Sequence, residues 1–283
     1  MEKAIRKYWP VFVLPTLAAF LIGFVWPFLQ GLYLSFCKFV TINNATFNGL
    51  KNYIFALTEA DFLHSFGFTV LFTVVSSACI NVAALAIALA LTREIKGTNL
   101  FRSVFFMPNL IGGIVLGYIW NILLNCVLTL LGKPLMNLYA PYGFIGLLIL
   151  MCWQQIGYMM IIYIAGLQSI PGDYLEAARI DGATERQIFW KVKLPNLMPS
   201  ITICAFLTLT NGFKLFDQNL ALTGGEPAHQ TEMLALNIYQ TFYGRSGPQW
   251  KGYGQAKAVL FCILVIAISM IQLRATRSKE VQQ

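Results

Sequence analysis

Two oppositely charged side chains, Lys214 and Asp217, stand three residues apart in the otherwise apolar run 200–223. Residues three apart on a helix lie on the same face, so these two side chains can pair there. An ionisable residue within a membrane span indicates an ion or substrate pathway by default. The pattern therefore predicts one of two roles: part of an ion or substrate pathway, or an ion pair that neutralises itself and extends to the water at the outer end of the span.

Aromatic and amide side chains that suit a sugar ring lie on the preceding apolar run. Trp153, Gln154 and Tyr158 fall close together in the run 143–170, and Asn211 lies in the next one. Binding pockets combine aromatic walls with a few polar groups that orient the ligand. The same residues also fit an interfacial aromatic belt with amide hydrogen bonds between helices. Substrate contact and helix packing both remain open here.

The segment 171–199 concentrates eight charged residues between Asp173 and Lys193. Each would cost roughly 2.5–3.5 kcal/mol at the centre of a bilayer, so the segment must lie in water. Asp173 followed by Glu176 is an acidic analogue of the capping box, which predicts that Asp173 caps a helix. Gly182 suits the residue that ends such a helix. A short, water-exposed helix is therefore expected between Asp173 and Gly182.

A second capping box, Thr184 to Gln187, predicts another short helix, which Pro195 and Pro199 are expected to stop. Isolated helices shorter than about 12–15 residues are marginal in water, so both helices need a packing partner. The smooth face around Ala177 predicts docking into a groove on a cytoplasmic partner. A capped linker that rests on its own bundle is the alternative.

No group of residues has the spacing of a catalytic or metal centre. The chain lacks the G-x-x-x-x-G-K-[ST] phosphate loop, a nucleophile elbow, H-E-x-x-H and a paired-carboxylate site. The cysteines are scattered without a C-x-x-C pair, and His64 and His229 have no second ligand at metal spacing. We therefore expect no catalytic residue, no metal and no cofactor bound by this chain.

The elements that position these residues are expected to be membrane spans. The chain is 57% hydrophobic and only 11% charged, whereas a soluble domain carries about 25% charged residues. Apolar runs of spanning length predict an all-α membrane protein with a single transmembrane domain over residues 1–283. The six predicted spans are about 10–36, 65–92, 103–123, 143–170, 200–223 and 254–273.

Two of these runs carry further signals. The first run exceeds the apolar core of a signal peptide, about 7–15 residues, and has no A-x-A-like cleavage site, so we expect a retained span. In the third run, Gly113 and Gly117 have the GxxxG spacing that lets two helices approach closely. We favour packing within the chain over a subunit interface for this pair.

The net charge of +8 fits membrane orientation better than nucleic-acid binding. With the N-terminus inside, the inner segments 1–9, 93–102, 171–199 and 274–283 hold 13 Lys and Arg residues, against 6 in the outer segments. Cytoplasmic loops of membrane proteins are enriched in these residues. Both termini and the segment 171–199 are therefore predicted to lie in the cytoplasm.

The segment 171–199 resembles the EAA loop of ABC-importer permeases. The matching residues are Glu176, Ala177, Ala178, Asp181, Gly182, Ala183, Phe189 and Pro195. In that family the loop lies between spans four and five and forms a coupling helix, which inserts into a cleft of the ATP-hydrolysing subunit. The resemblance implies the type I ABC-importer permease fold, with these residues at the contact with an ATPase.

The stretches FFMP (105–108) and FDQNLALTGGEP (216–227) are similar to carbohydrate importers of the maltose and glycerol-phosphate permease type. The second stretch resembles the first permease of such a pair. The resemblance implies a heterodimer with a second permease, two cytoplasmic ATPase subunits that bind ATP and Mg²⁺, and an extracytoplasmic solute-binding protein at a bacterial plasma membrane. The expected cargo is an oligosaccharide, with glycerol phosphate and polyols as alternatives. From outside this family, the charged pair in the run 200–223 motivates an ion-coupled secondary transporter or channel that works without an ATPase.

Overall fold

The structure is a computed structural model that describes residues 2–93 and 97–277. The first part of the chain contains α1 (Glu2–Phe20), a π-helical turn (Leu21–Val25), α2 (Trp26–Leu34), the antiparallel strands β1 (Cys37–Lys38) and β2 (Thr46–Phe47) around a 3-10 turn (Ile42–Asn44), α3 (Lys51–Thr58) and α4 (Ala60–Leu91). The middle part contains α5 (Thr98–Phe106), a 3-10 turn (Met107–Leu110), α6 (Gly113–Leu130), α7 (Ala140–Gln168) and α8 (Gly172–Ile180). The last part contains α9 (Glu185–Ile188), a π-helical turn (Phe189–Lys193), α10 (Leu194–Asn196), α11 (Met198–Phe213), α12 (Asp217–Leu222), α13 (Leu234–Tyr243) and α14 (Pro248–Arg277).

Several of these helices are long and apolar enough to cross a membrane. Within residues 2–93 and 97–277 they are Val11–Leu34, Ala60–Leu91, Gly113–Leu130, Ala140–Gln168 and Pro248–Ala275. A sixth crossing is present if Glu185–Asn196 and Met198–Phe213, which meet at a bend of 67°, count as one span. The upper count equals the six spans predicted from the apolar runs. The predicted side of the membrane for the two termini depends partly on residues 1 and 278–283, and that of the loop 93–102 on residues 94–96, all of which lie outside the described residues.

The third predicted span was placed too early in the chain. The run 103–123 predicts one helix, but the backbone breaks near Pro108, and α6 starts at Gly113. Proline lacks the N–H that a continuous helix needs, and Gly112 takes an extended conformation as the N-cap of α6. The helix then continues to Leu130, so the membrane-crossing part lies later in the sequence than predicted.

The fifth predicted span is also interrupted. The run 200–223 predicts one helix, whereas α11 ends at Phe213 and α12 begins at Asp217. Gly212 lowers the helix propensity just before the break. The buried side chain of Leu215 turns inward and packs in the apolar core, which fixes the turn between the two helices.

The described chain packs into two compact units, and the first comprises Met1–Glu59 and Ile238–Cys262. A fully buried lysine lies inside it, because Lys257 of α14 is 0% exposed. Its Nζ pairs with Glu59 and donates a hydrogen bond to Thr241 Oγ1 at 2.7 Å. The second carboxylate oxygen of Glu59 accepts a hydrogen bond from Arg245 at 3.1 Å. Because a buried charge is tolerated only when paired, these side chains hold α3, α13 and α14 together.

The second unit comprises Ala60–Asn237 and Ile263–Gln283. In it, α4, α7 and α11 pack against one another. Their shared apolar core contains Ile80, Ala84, Ala88, Leu91, Met159, Met160, Tyr163, Ile164, Leu197 and Cys204. Helix α6 packs on α12, where a methyl group added at Gly117 would lie 2.7 Å from Ala221 Cβ. The prediction that the GxxxG pair serves packing within the chain is confirmed.

Candidate functional site

The charged segment between α7 and α11 folds as two capped helical pieces, residues 172–196, which we call the insert. Its first helix, α8, begins differently from the prediction: Pro171 is the N-cap and makes no side-chain cap, while Asp173 lies in the first turn. The prediction that Asp173 caps the helix is therefore wrong. Proline's fixed φ suits a position next to the start of a helix, and an acidic residue in the first turn still complements the helix dipole.

The end of α8 follows the prediction. Gly182 has φ +78°, a conformation that glycine adopts without the penalty paid by other residues. Its N–H donates to the carbonyl of Arg179 at 3.0 Å, and the N–H of Ala183 donates to the carbonyl of Ala178 at 3.0 Å. This pair of bonds is a Schellman motif, which satisfies carbonyls that the helix end would otherwise leave unpaired.

The second piece begins at the predicted capping box. Gln187 N–H donates to Thr184 Oγ1 at 3.4 Å, and the Thr184 N–H donates to Gln187 Oε1 at 2.8 Å. Pro195, however, does not stop the helix, because a π-helical turn before it absorbs the missing N–H and the run continues through Asn196. The chain bends only at Leu197, where the 67° turn into α11 lies.

The insert presents its predicted docking residues outward. Glu176, Ala177, Asp181 and Gly182 are exposed, whereas Ala178, Ala183, Phe189 and Pro195 are half-buried. Beside them, the apolar side chain of Ile180 is 85% exposed. The eight predicted residues therefore lie on one continuous segment, the insert, and the exposed apolar side chain of Ile180 lies next to them.

Two amide pairs join the helices at the level of the predicted pathway residues. The side-chain amide of Gln218 on α12 donates to Gln154 Oε1 at 2.7 Å, and Gln154 Nε2 donates to the carbonyl of Ile111 at 3.3 Å. Asn211 on α11 donates to Gln155 Oε1 at 3.0 Å. Gln154 and Asn211 are thus held in the interhelical hydrogen bonds that the packing interpretation predicts.

The aromatic candidates point to different surroundings. Trp153 is 43% exposed, and its ring meets that of Trp120 edge-on at 5.5 Å between centres. Tyr158 is half-buried against the core shared by α4, α7 and α11. Trp153 is therefore partly exposed beside the half-buried Trp120, whereas Tyr158 lies in helix packing, so the predicted residues do not form one cluster.

The charged pair of the fifth span is not formed as predicted. Lys214 is the C-cap of α11, and Asp217 is the first residue of α12, so they do not share one helix face. Both side chains are exposed, and within the described part of the chain no ion pair joins them. The expectation of a pair on one helix is wrong because the helix ends between them.

Sequence reasoning missed a polar network between α4, α7 and α11. Tyr163 donates to Asn81 Oδ1 at 2.7 Å, and Asn81 Nδ2 donates to Thr208 Oγ1 at 2.9 Å. The hydroxyl groups of Thr208 and Ser77 lie 2.7 Å apart. The signal was the spacing of Ser77 and Asn81, one helical turn apart in an apolar run, which indicates a polar face toward another helix.

The described residues offer no obvious inorganic site. In the ranges 2–93 and 97–277, no three or more His, Cys, Asp or Glu side chains are grouped so that they could hold a metal ion. The features left for interaction are the exposed surface of the insert and the amide groups between the helices.

Comparison with known proteins gives the class to which this arrangement belongs. Residues 80–277 match the family described as "Binding-protein-dependent transport system inner membrane component". The chain belongs to this family of multi-pass membrane subunits. The helices of spanning length and apolar composition agree with an inner membrane component.

Individual relatives cover nearly the whole chain. A protein of Thermoanaerobacterium thermosulfurigenes, named as a probable starch degradation products transport system permease protein, is 43% identical over 97% of this chain and 95% of its own. The multiple sugar-binding transport system permease protein of Streptococcus mutans is 33% identical over 99% of both chains. A chain of the bacterial alginate ABC transporter, solved in complex with an alginate pentasaccharide-bound periplasmic protein, has the same fold. It has a TM-score of 0.81 at 18% identity, over 98% of this chain and 97% of that one.

Proposed function

We propose that this chain is a permease subunit of an ATP-driven importer of carbohydrate, with an oligosaccharide as the cargo. In this proposal it forms the translocation path with a second permease in a bacterial plasma membrane. Relatives at 43% and 33% identity that are named for starch degradation products and for multiple sugars support the cargo class. The observation that carries the mechanism is the exposed insert, closed at Gly182 by its Schellman motif.

The insert acts as the joint with the ATPase in this mechanism. A helix of nine residues, α8, is too short to be stable alone. Its Schellman motif closes the C-terminal end, and the partner that covers its exposed face would supply the missing packing. The eight residues that resemble the EAA loop lie on the insert, three of them on α8 and the others after it. A groove on a cytoplasmic ATPase would cover them together with Ile180. ATP and Mg²⁺ are bound by that partner, and this chain contributes no cofactor site.

Import then follows from two states of the bundle. Closure of the two ATPase subunits displaces the inserts of both permeases and favours the outward-open state, in which a solute-binding protein delivers the sugar. Hydrolysis releases the inserts and returns the bundle to the inward-open state. A ligand or partner shifts such an equilibrium only through different interactions with the two states, and the insert is where the ATPase makes that difference.

On the sugar pathway, we propose that Trp153 and its neighbour Trp120 supply an aromatic surface for the passing ring. Trp153 is partly exposed, and aromatic walls are typical of binding pockets. The amides of Gln154 and Asn211, which are hydrogen-bonded to Gln218 and Gln155 in this structure, are the groups proposed to bind sugar hydroxyls. Lys214 and Asp217 remain exposed candidates along the same path.

The test is reconstitution of the complete complex in proteoliposomes with ATP on the insert side and labelled oligosaccharide on the other. Wild-type complex is expected to import sugar only with ATP. Glu176→Ala and Gly182→Pro should preserve assembly but reduce import by about ten-fold. The first removes a docking side chain. The second removes the N–H that bonds to Arg179 and cannot adopt the φ of +78° at this position. In the same assay, Trp153→Ala should raise the half-saturating substrate concentration.

The matched control is Gly172→Ala, which adds a methyl group in open space at the start of α8. Its import should equal that of the wild type. Normal import by both Glu176→Ala and Gly182→Pro would contradict the docking role of the insert. ATP-independent import by the wild type would contradict the proposed function as a whole.

A further inference from the structure

The two ends of the insert meet at one close helix crossing. Helix α7 leads into the insert, and α11 leads out of it, so any displacement of the insert acts on these two helices. At the crossing, Gly166 of α7 faces Ser200 of α11 and the bend residue Leu197. The glycine lies within one turn of the end of α7 at Gln168, so the contact sits at the base of the insert.

The contact at this base leaves no room for a side chain at Gly166. A methyl group added there would overlap Ser200 Oγ and would lie 3.0 Å from both Ser200 Cβ and Leu197 Cδ1. Rotation of the serine could move Oγ, but it cannot move Cβ. Because carbon atoms pack at about 3.5–4.0 Å, the two helices would have to separate by several tenths of an ångström.

The bend above the insert is itself anchored. Leu197 is 1% exposed and belongs to the core shared by α4, α7 and α11. Its N–H donates to the carbonyl of Lys193 at 3.0 Å, and the N–H of Ile201 donates to the carbonyl of Leu197 at 3.0 Å. Helical hydrogen bonds therefore run on both sides of the 67° bend, and the exit of the insert is a fixed angle rather than a loose linker.

Farther along the same helices, α7 and α11 are joined a second time through polar groups. Tyr163, three residues before Gly166, reaches Thr208 of α11 by way of Asn81. The sulfur of Cys204 lies 3.8 Å from the carbonyl oxygen of Met159 and completes this second attachment. Helices α7 and α11 are therefore in contact at two levels, one at the base of the insert and one farther along.

We propose that Gly166, Ser200 and Leu197 form a base contact that makes α7 and α11 move as one body when the insert is displaced. Without this contact, displacement of the insert would separate its two ends and would not move α7 and α11 together. These residues act through the helices and touch neither sugar nor nucleotide, so they are positioning residues for coupling. The proposal rests on the proposed function, because it assumes that an ATPase displaces the insert.

The experiment measures ATP hydrolysed per sugar imported, using assembled complex in proteoliposomes. Gly166→Ala should raise this ratio by about ten-fold and reduce the stimulation of ATP hydrolysis by the solute-binding protein, while the assembled complex keeps its basal ATPase activity. Adding Ser200→Gly in the same chain removes both overlapping serine atoms and should restore the ratio to that of the wild type. Gly67→Ala is the control, because a methyl group at that helical glycine of α4 meets open space.

A wild-type ratio in assembled Gly166→Ala, or no recovery with Ser200→Gly, would overturn the base contact while leaving the proposed function intact. If Gly166→Ala does not assemble, Ser200→Thr, which adds one methyl group at the same contact, is measured in its place. A wild-type ratio of ATP hydrolysed to sugar imported in Ser200→Thr would overturn the proposal. Failure of both variants to assemble would also overturn it, because the contact would then serve only helix packing. Absence of ATP-dependent import in the wild type would overturn both proposals.

Discussion

At the scale of single residues, Lys257 is a charged side chain that is fully buried in the described structure. A lysine loses its hydration when it is buried, and only partners can compensate for that loss. Glu59 and Thr241 supply the partners, and Arg245 shares the same carboxylate. Residue types alone did not reveal this arrangement, because Glu59 and Lys257 are far apart in the sequence and each looks like an ordinary loop charge.

We predict that Lys257→Met destabilises the chain by about 3–5 kcal/mol, because it leaves Glu59 in a largely buried position without its closest cation. Thermal unfolding of the purified protein measures the effect. The double variant Lys257→Met with Glu59→Gln should recover part of the loss, since it removes the unpaired charge. Lys133→Met, at an exposed lysine, is the control, and an equal loss of stability there would contradict the role assigned to the buried pair.

At the scale of helices, two of the three short capping motifs in the insert predicted a helix end correctly, and the one at Asp173 did not. Gly182 and the Thr184–Gln187 box are complete within a few residues, and both appear as predicted. The bend at Leu197 and the break after Phe213 depend on packing against distant parts of the chain. A window of sequence contains no information about those neighbours, so the run 200–223 was predicted as one helix.

The same reasoning applies to the candidate site. Much of the insert could be predicted, because its charges, its second capping box and Gly182 all lie within one segment, although the cap at Asp173 and the stop at Pro195 were predicted wrongly. The pathway residues could be predicted only as types: Gln154 and Asn211 were named, but their partners Gln218 and Gln155 follow from which helices become neighbours. Spacing suggested that Lys214 and Asp217 pair, and the helix break between them removed that pair.

The contact between α6 and α12 gives a prediction at this scale. Gly117→Leu should force the two helices apart and destabilise the protein by about 1–3 kcal/mol, as overpacking of a close contact usually does, because even one methyl group there would lie 2.7 Å from Ala221 Cβ. Thermal unfolding and protease sensitivity report the change. Gly67→Leu, at a helical glycine with open space around it, should be close to neutral, and equal effects at the two glycines would exclude a specific contact.

At the scale of the whole molecule, the chain has many outward-facing apolar side chains and few places where charge is buried. This suits lipid as the solvent, because in a bilayer apolar side chains gain nothing by turning inward. The insert differs from the rest of this apolar surface, because it carries eight charged residues between Asp173 and Lys193. In the proposed function, a chain built in this way forms part of a path through the membrane, and the insert is the surface on which the ATPase acts.

We predict that the two permeases without their ATPases do not accumulate sugar when a proton or sodium gradient is imposed across proteoliposomes. The reason is structural: Lys214 and Asp217 are exposed and unlinked, so they do not form a buried site that could couple an ion to the sugar. Uptake of labelled oligosaccharide with and without added ATPase subunits makes the measurement. Gradient-driven uptake in their absence would favour the ion-coupled alternative.

The shortness of α11 has a consequence for how the protein is made. Its 16 residues span about 24 Å at 1.5 Å per residue, less than the roughly 30 Å of a bilayer's hydrocarbon core. The helix also carries Thr202, Thr208 and Asn211, which weaken its own partitioning into lipid. Earlier-synthesised helices α4 and α7 provide the hydroxyl and amide partners of Thr208 and Asn211. We therefore expect α11 to leave the translocon late, integrated by these earlier helices rather than by its own hydrophobicity.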